Sequence, residues 1–132
     1  MLKEKIKITN LKVHKDARGL LAKIFDYISI KGKNIQDIYV TITPPGQKRA
    51  DHYHKKTTEW FCAIKGRGIM RLKAIDANEE FDVKIDAEDM ALVEVPPKIN
   101  HQVISAGKED LVLIAFGNQQ YKKDDTDTYV LE

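Results

Sequence analysis

Two histidines, a glutamate and a distant third histidine form the pattern with the most chemical potential in this chain. His52 and His54 are one residue apart, and Glu59 follows them after a short predicted turn. On a β-strand, alternate side chains point to the same face, so both imidazoles would face one way. His101 follows a proline pair and could supply a third imidazole from a distant strand. Imidazole nitrogen and carboxylate oxygen together suit borderline divalent metals, so these residues predict a site for Zn, Mn, Fe, Co, Ni or Cu.

The composition is typical of a folded domain. Of the 132 residues, 42% are hydrophobic and 32% are charged, which gives one domain over residues 1–132 enough apolar material for a core. A formal net charge of +2 gives no reason to expect a nucleic-acid partner. No apolar run could span a bilayer, and the first residues lack the apolar segment of a signal peptide, so we expect a cytoplasmic protein without a membrane partner. Cys62 is the only cysteine, so no intrachain disulfide can form.

The rest of the chain alternates between short strands and turns. β-Branched and aromatic residues dominate stretches that end at glycine or proline, as where 37–43 stops at Pro44, Pro45 and Gly46. No stretch of useful length keeps a helical period with caps. The evenly spaced strands predict an all-β, antiparallel sandwich or barrel. The predicted strands are 5–9, 20–25, 37–43, 58–65, 68–75, 81–85, 91–95, 101–105 and 111–116.

The predicted strand that begins near Glu59 is apolar on both faces. If the face of Glu59 lines a barrel, the opposite face must also be covered, because a contiguous exposed apolar patch usually marks an interface. A second copy of the chain or the chain's own N-terminal strand could cover it, and the sequence leaves both open. We therefore expect a homodimer as one solution. The residues of the second face are Trp60, Cys62 and Ile64.

The histidine pattern resembles the first motif of the cupin superfamily. That motif is a glycine, five residues, His-x-His, three or four residues, a glutamate, six residues and a glycine. Every position is matched. The matching residues are Gly46, His52, His54, Glu59 and Gly66.

The second cupin motif matches only in part. Pro96 and His101 fit it, whereas two glycines and an asparagine of the motif are replaced. The replacements are Met90, Lys98 and Ser105. The resemblance implies a single-domain cupin jelly roll over nearly the whole chain, with the three histidines and the glutamate as metal ligands.

A narrower resemblance points to cupin enzymes that act on nucleotide-linked 4-keto sugars. Residues 16–20 look like the Asp-x-Arg-Gly stretch of the dTDP-4-dehydrorhamnose 3,5-epimerases and of the 3,4-ketoisomerases, in which the arginine serves the nucleotide diphosphate. This implies that role for Arg18. Residues 49–52 resemble the Arg-Gly-x-His stretch of the epimerases, whose histidine is the catalytic base. Because phosphate favours guanidinium and ammonium donors, Lys48 and Arg49 are further diphosphate candidates.

The segment 51–59 and the tail 127–129 look most like the C-terminal cupin domain of bifunctional capsular polysaccharide-biosynthesis enzymes. That domain epimerises a UDP-linked 4-keto sugar and carries zinc. Zinc is therefore the first expected metal, with Mn, Fe, Ni and Co as alternatives. One departure stands against a simple epimerase: Glu59 lies where the rhamnose-pathway enzymes carry a catalytic lysine. The charged run 122–127 before the tail reads as a solvated turn.

Together these features predict a metal-binding cupin that epimerises or isomerises a nucleotide-linked 4-keto-6-deoxy sugar in cell-surface polysaccharide biosynthesis. The reaction removes a proton beside the ketone and returns it elsewhere, so it needs a base, an oxyanion stabiliser and an acid. In one version the metal holds the enolate oxygen and the base is another group, with Tyr121 or Tyr129 as candidates. In the other version His52 is the base, and the metal is absent or structural.

Two further functions remain open at this point, because a fold does not fix a function. Another metallo-cupin enzyme, such as a dioxygenase or a sugar-phosphate isomerase, would hold iron or manganese and show no preference for nucleotides. A non-catalytic, small-molecule-binding cupin would bind its ligand tightly without turnover.

Overall fold

The chain is seen in a computed structural model that describes residues 1–24, 34–120 and 127–130. These residues fold almost entirely into β-strands. A short helix, α1, spans Leu2–Lys5, and a 3-10 turn spans Ala87–Asp89. No helix in the described ranges has the length and apolar character needed to cross a bilayer. The strands are β1 Lys7–Asn10, β2 Val13–Asp16, β3 Gly19–Ala22, β4 Asp37–Thr43, β5 Lys48–His54, β6 Glu59–Lys65, β7 Arg67–Ala74, β8 Glu80–Asp86, β9 Ala91–Val95, β10 Ile99–Ser105, β11 Leu111–Gly117 and β12 Thr128–Tyr129.

The strands form two five-stranded sheets and a separate hairpin. One sheet has the order β1-β9-β6-β11-β4, the other has the order β12-β5-β10-β7-β8, and β2 pairs with β3 alone. All of these pairs are antiparallel. Consecutive strands from β4 to β7 alternate between the sheets, as in a jelly roll. The predicted all-β, antiparallel architecture is therefore confirmed.

The hydrophobic core lies between the two sheets. Phe61 and Leu113 enter it from the first sheet, and Met70 and Leu72 enter it from the second. Several predicted strands have boundaries close to those observed, and the predicted strands 37–43 and 91–95 have the same boundaries as β4 and β9. The prediction for 5–9 was partly wrong, because α1 occupies its first residue and β1 starts at Lys7.

The apolar side chains of β4 face outward and its polar side chains face inward, which is the reverse of the usual arrangement. Its side chains on the cavity side are partly or fully buried, although they are polar or aromatic; they are Asp37, Tyr39, Thr41 and Thr43. The intervening Ile38, Val40 and Ile42 are 56–60% exposed. Two of the inward side chains, Asp37 and Tyr39, line a cavity, whereas the outer surface of β4 is apolar.

The second apolar face of β6 is covered largely by the chain itself. Trp60 and Cys62 are buried in a cluster with Leu11, which follows β1, and Ile24 and Ile35 pack against this cluster. The remaining residue of that face, Ile64, is exposed. Of the two covers left open by the sequence, the N-terminal part of the chain serves for Trp60 and Cys62.

The turn between β6 and β7 requires glycine. Gly66 has a φ of +78°, and a Cβ placed on it would lie 2.4 Å from the backbone oxygen of Asp110. Both the left-handed conformation and the close approach of the neighbouring chain exclude a side chain here. The glycine thereby allows β6, which begins with Glu59, to turn directly into β7 of the opposite sheet.

Candidate metal centre

The structure brings together the four residues that the sequence identified as metal ligands. His52 and His54 lie on β5, Glu59 begins β6, and His101 lies on β10. In the paired strands, His101 is directly opposite His52. One ligand atom from each of the four residues lies within 4.8 Å of all the others. The two sheets thus contribute to one cluster, with three residues from one sheet and one from the other.

A bulge in β5 sets the side-chain directions next to this cluster. Ala50 and Asp51 have φ angles of 66° and 69°, which are costly for residues other than glycine. The register with β10 shifts at this point, so that Arg49 rather than Ala50 lies opposite the buried Val103. Residues opposite each other share a face of the sheet, so the bulge turns Arg49 to the inner face. Asn100 supports the bulge, because its Nδ2 donates to Asp51 Oδ1 at 3.1 Å.

The carboxylate of Glu59 is the centre of the hydrogen-bonded network. Its Oε1 lies 2.7 Å from His54 Nε2 and 3.2 Å from His101 Nε2. Its Oε2 accepts a hydrogen bond of 2.7 Å from the hydroxyl of Tyr39. Glu59 is only 5% exposed and His101 only 2%. Every partner comes from a different strand, so the carboxylate joins β4, β5, β6 and β10.

These contacts determine the charge state of the network. Burial by itself raises the pKa of the Glu59 carboxyl, but hydrogen bonds with His101 and His54 outweigh burial and hold that pKa well below its usual range. Burial, followed by the charge of Glu59, raises the pKa of the Tyr39 hydroxyl far above its ordinary value. Glu59 is thus ionised, and Tyr39 keeps its proton and donates a hydrogen bond to the carboxylate.

The outer nitrogens of two histidines face groups that orient the rings. His101 Nδ1 lies 3.4 Å from the carbonyl oxygen of Ile99. A carbonyl can only accept, so Nδ1 is the donor in this contact, and Nε2 is the nitrogen that points toward Glu59. His54 Nδ1 lies 3.2 Å from the hydroxyl of Thr128 in the tail. Both rings therefore present Nε2 to the cluster.

The cluster fits a divalent metal ion in donor type and in spacing. With metal–nitrogen bonds of about 2.0–2.1 Å, the donors of a tetrahedral zinc site lie about 3.3–3.4 Å apart. The contacts of 2.7 and 3.2 Å and the largest separation of 4.8 Å bracket that value. An ion would need only small movements of the donor atoms. Three imidazoles and a carboxylate suit zinc and the neighbouring transition metals.

The cluster opens on a cavity of about 460 Å³, a volume in the usual range for small-molecule sites. Asp37 and Tyr39 of β4 line it beside His52, His54 and Glu59. The other lining residues come from the end of β11, from the loops and from the tail. They are Thr57, Gly117, Gln119, Gln120, Asp127 and Thr128.

The three predicted phosphate-binding residues lie in different places. Arg18 is in the turn of the β2–β3 hairpin, almost fully exposed, and its guanidinium pairs with Asp16 at 2.6 Å. The structure does not bring it to the cavity lining. Lys48 lies opposite Ile104 and hence on the other face of β5 from Arg49. Of the three, only Arg49 lies on the inner face of β5. Its positive charge partly offsets the rise in the pKa of the Tyr39 hydroxyl.

Of the two tyrosines predicted as catalytic, the structure describes Tyr129, which is not among the residues that line the cavity. Tyr129 stacks on Tyr53 with ring centroids 5.5 Å apart, and Lys55 Nζ lies 4.2 Å from the Tyr129 ring. Tyr53 alternates with His52 and His54 along β5, so this stack lies on the face away from the histidines. Tyr121 lies outside the described residues.

Among the cavity residues that the sequence analysis did not select, Asp37, Tyr39 and Asp127 carry titratable groups. The signal for the first two was a polar residue at every second position of a strand that is otherwise β-branched, which indicates a polar interior face. Asp127 was wrongly assigned to a solvated turn. It is only 8% exposed and accepts hydrogen bonds from the loop between β5 and β6.

Comparison with known proteins gives a family. The model of the polysaccharide biosynthesis C-terminal domain matches residues 14–129. One relative, the UDP-2-acetamido-2,6-beta-L-arabino-hexul-4-ose reductase of Pseudomonas aeruginosa, is 26% identical over 117 residues. The matched part is 89% of this chain and 30% of the reductase.

Solved structures share the fold. The capsular polysaccharide assembling protein CapF from Staphylococcus aureus is 25% identical with a TM-score of 0.72, over 92% of this chain and 34% of CapF. ChmJ, a 3'-monoepimerase from Streptomyces bikiniensis in complex with dTDP-quinovose, is 18% identical with a TM-score of 0.80, over 89% of this chain and 66% of ChmJ. These likenesses confirm the cupin fold that the histidine motif predicted. The chain spans about a third of the reductase and of CapF.

Glu59→Gln should weaken zinc binding by about 100-fold or more. Loss of a residue that only hydrogen-bonds to a metal ligand already lowers metal affinity by about 10- to 100-fold, and Glu59 is proposed as a ligand itself. The glutamine keeps the size of the side chain but removes the negative charge. A competitive titration against a chromophoric chelator would measure the affinity, with the apo proteins compared by thermal unfolding. The matched control is His14→Gln, an exposed histidine on β2. Equal zinc affinity of Glu59→Gln and wild type would contradict the assignment.

Proposed function

The chain belongs to the polysaccharide biosynthesis C-terminal domain family, and on that basis we propose that it is a metal-dependent epimerase or isomerase of a nucleotide-linked 4-keto-6-deoxy sugar. The observation that carries the proposal is the buried His/Glu cluster at the base of a cavity of about 460 Å³. The name of the Pseudomonas relative supports the substrate class, since it describes a UDP-linked sugar with a ketone at carbon 4. The chain matches 30% of that reductase, so only the substrate class is carried over.

The four clustered residues would hold the ion, with zinc as the first candidate. A bound divalent ion would polarise the ketone of the sugar and stabilise the enolate oxygen. His52 faces the other ligand atoms closely enough to be a ligand itself. As a ligand it has no lone pair left for proton abstraction, so another group must act as the base.

We assign proton abstraction to Asp37. Three carboxylates line the described part of the cavity. Glu59 belongs to the cluster, and the carboxylate of Asp127 is bound by the loop between β5 and β6. Asp37 is the third, at the start of β4 beside the cavity. Tyr39 is a poor base because its pKa is raised, and its hydroxyl instead holds Glu59 in place.

Arg49 is the proposed contact for the nucleotide diphosphate. The bulge at Ala50 and Asp51 turns its side chain to the inner face of β5, and it is exposed enough to reach a ligand in the cavity mouth. A guanidinium can bind phosphate oxygens in a bidentate manner. None of the three basic residues lines the cavity in a single chain, and the register of β5 favours Arg49, so the roles predicted for Arg18 and Lys48 stay predictions.

Solvent exchange tests this function. In D2O with UDP- and dTDP-linked 4-keto-6-deoxy sugars, the zinc-loaded protein should exchange the proton on the carbon beside the ketone, as followed by proton NMR. Asp37→Asn should slow exchange by about 100-fold or more, the usual range for general base catalysis. Arg49→Ala should raise the sugar concentration needed for half-maximal exchange without changing metal content.

The control for this experiment is Asp110→Asn, an exposed aspartate in the β10–β11 turn at the opposite end of the strands from Glu59. It should exchange at the wild-type rate. Absence of exchange with every sugar, in protein that holds its metal, would contradict the proposal and favour a binding cupin.

We also propose a homodimer that buries the outer face of β4. Ile38, Val40 and Ile42 form an exposed apolar row on the edge strand of the first sheet, and an isologous interface could pair two such rows. Exposed apolar surface of this kind usually marks an interface.

Val40→Asp should convert the dimer to a monomer of 15.1 kDa, because a carboxylate in the centre of an apolar interface is costly to desolvate. Light scattering after size-exclusion chromatography would measure the mass at several concentrations. Ile8→Asp is the matched control, since Ile8 is exposed on β1 at the other edge of the same sheet and should leave the dimer intact. A wild-type monomer at all concentrations would refute the proposed interface.

A further inference from the structure

The tail strand β12 is bound to the loop that connects two of the proposed ligands. Asp127 Oδ1 accepts hydrogen bonds from the backbone nitrogens of Lys55 at 3.0 Å and Lys56 at 2.7 Å. Its Oδ2 accepts from the backbone nitrogen of Thr57 at 3.0 Å and from the Thr57 hydroxyl at 2.5 Å. The carboxylate thus caps three successive N–H groups, an arrangement that stabilises a negative charge.

The capped loop is short, so its conformation limits the distance between His54 and Glu59. Residues 55–58 are all that separate His54, the last residue of β5, from Glu59, the first residue of β6. The loop therefore determines how His54 and Glu59 face each other, although the two residues belong to different sheets. A buried carboxylate that fixes three consecutive backbone amides removes most of the loop's conformational freedom before any ligand binds.

The tail also contacts a proposed ligand directly. Thr128 lies opposite His54 in the β12–β5 pair, and its hydroxyl is 3.2 Å from His54 Nδ1. On the other side of the ring, Nε2 faces Glu59 at 2.7 Å. In the metal-bound protein, Nδ1–H would donate to the threonine hydroxyl, and Nε2 would offer its lone pair to the metal in place of the hydrogen bond with Glu59. Tyr129, stacked on Tyr53, anchors the same strand.

We propose that residues 127–129 form a positioning clamp for the metal centre, in which Asp127 fixes the 55–58 loop and Thr128 orients the ring of His54. The inference rests on the metal binding in the proposed function, but not on the sugar chemistry. Because binding free energies are reciprocal, a clamp that raises metal affinity must itself be held more tightly when metal is bound. The docking of the tail and the loading of the metal are then one coupled equilibrium.

The decisive comparison is between Thr128→Val and Thr128→Ser. Valine keeps the shape but removes the hydroxyl, and should lower zinc and cobalt affinity about 10- to 100-fold, as loss of an outer-sphere partner does. It should also change the visible absorption spectrum of the cobalt-loaded protein, which reports the orientation of the ligands. Serine keeps the hydroxyl and should restore affinity and spectrum. Thr9→Val on β1, far along the chain from the site, is the control for the substitution itself.

Asp127→Asn tests the other half of the clamp. One carboxylate oxygen becomes a donor that cannot accept from the loop amides, so metal affinity should fall over the same range of about 10- to 100-fold. Hydrogen exchange of the amides of 55–57 in wild type should slow when zinc binds, whereas in Thr128→Val zinc should slow it less. Thermal unfolding of the apo proteins shows whether each variant is folded. If Asp127→Asn does not fold, the comparison of Thr128→Val with Thr128→Ser decides the test.

The outcomes separate the clamp from the proposed function. Wild-type affinity and an unchanged cobalt spectrum in Thr128→Val would overturn the clamp and leave the metal centre in place. If the wild-type protein itself binds neither ion, the clamp and the metal-dependent function are overturned together. Loss of affinity in valine with recovery in serine supports the clamp, whether or not any sugar is turned over.

Discussion

The structure depends on the contacts that stabilise one buried carboxylate, that of Glu59. Glu59 is ionised and almost completely inaccessible to solvent, which is tolerable only because His54, His101 and Tyr39 surround it. Removing one partner of a buried charge typically costs about 3–5 kcal/mol. Because each partner belongs to a different strand, the same contacts hold the two sheets in register at one end of the barrel. The feature that makes a metal site therefore also constrains the fold, and a bound cation would satisfy the carboxylate further.

The sequence predicts the parts of this arrangement that depend on local spacing. Alternation places His52 and His54 on one face, and the motif glycine Gly66 marks a turn that only glycine can make. It does not predict the parts that depend on distant contacts. Strand β4 turns Asp37 and Tyr39 toward a cavity and its isoleucines and valine outward, and periodicity alone cannot tell which face of a strand is buried. At the bulge, Ala50 and Asp51 adopt positive φ angles one after the other without a glycine, which no sequence pattern signals. Asp127 meets its loop across 70 to 72 residues of chain.

The comparisons and the geometry support different parts of the functional proposal. The family match and the likeness to CapF connect the chain with polysaccharide biosynthesis, while ChmJ at 18% identity establishes only a shared fold. The four residues of the cluster do not by themselves indicate a sugar substrate. The chain's own residues supply the chemical detail: four converging donors, a cavity-lining carboxylate in Asp37, and one guanidinium turned inward by a bulge. A site with these groups can hold a cation, move a proton and bind an anion, which are the abilities that the proposed reaction on a nucleotide-linked keto sugar would use.

The most direct measurement is the X-ray absorption spectrum of the zinc-loaded protein at the metal edge. The account predicts a first shell of four nitrogen or oxygen donors at about 2.0–2.1 Å, with the outer-shell scattering of about three imidazoles. Replacement of His101 by alanine should remove the scattering of one imidazole and leave that of the other two. A spectrum dominated by water oxygens, with the scattering of one imidazole or none, would contradict the central claim that His52, His54, Glu59 and His101 form a single metal centre.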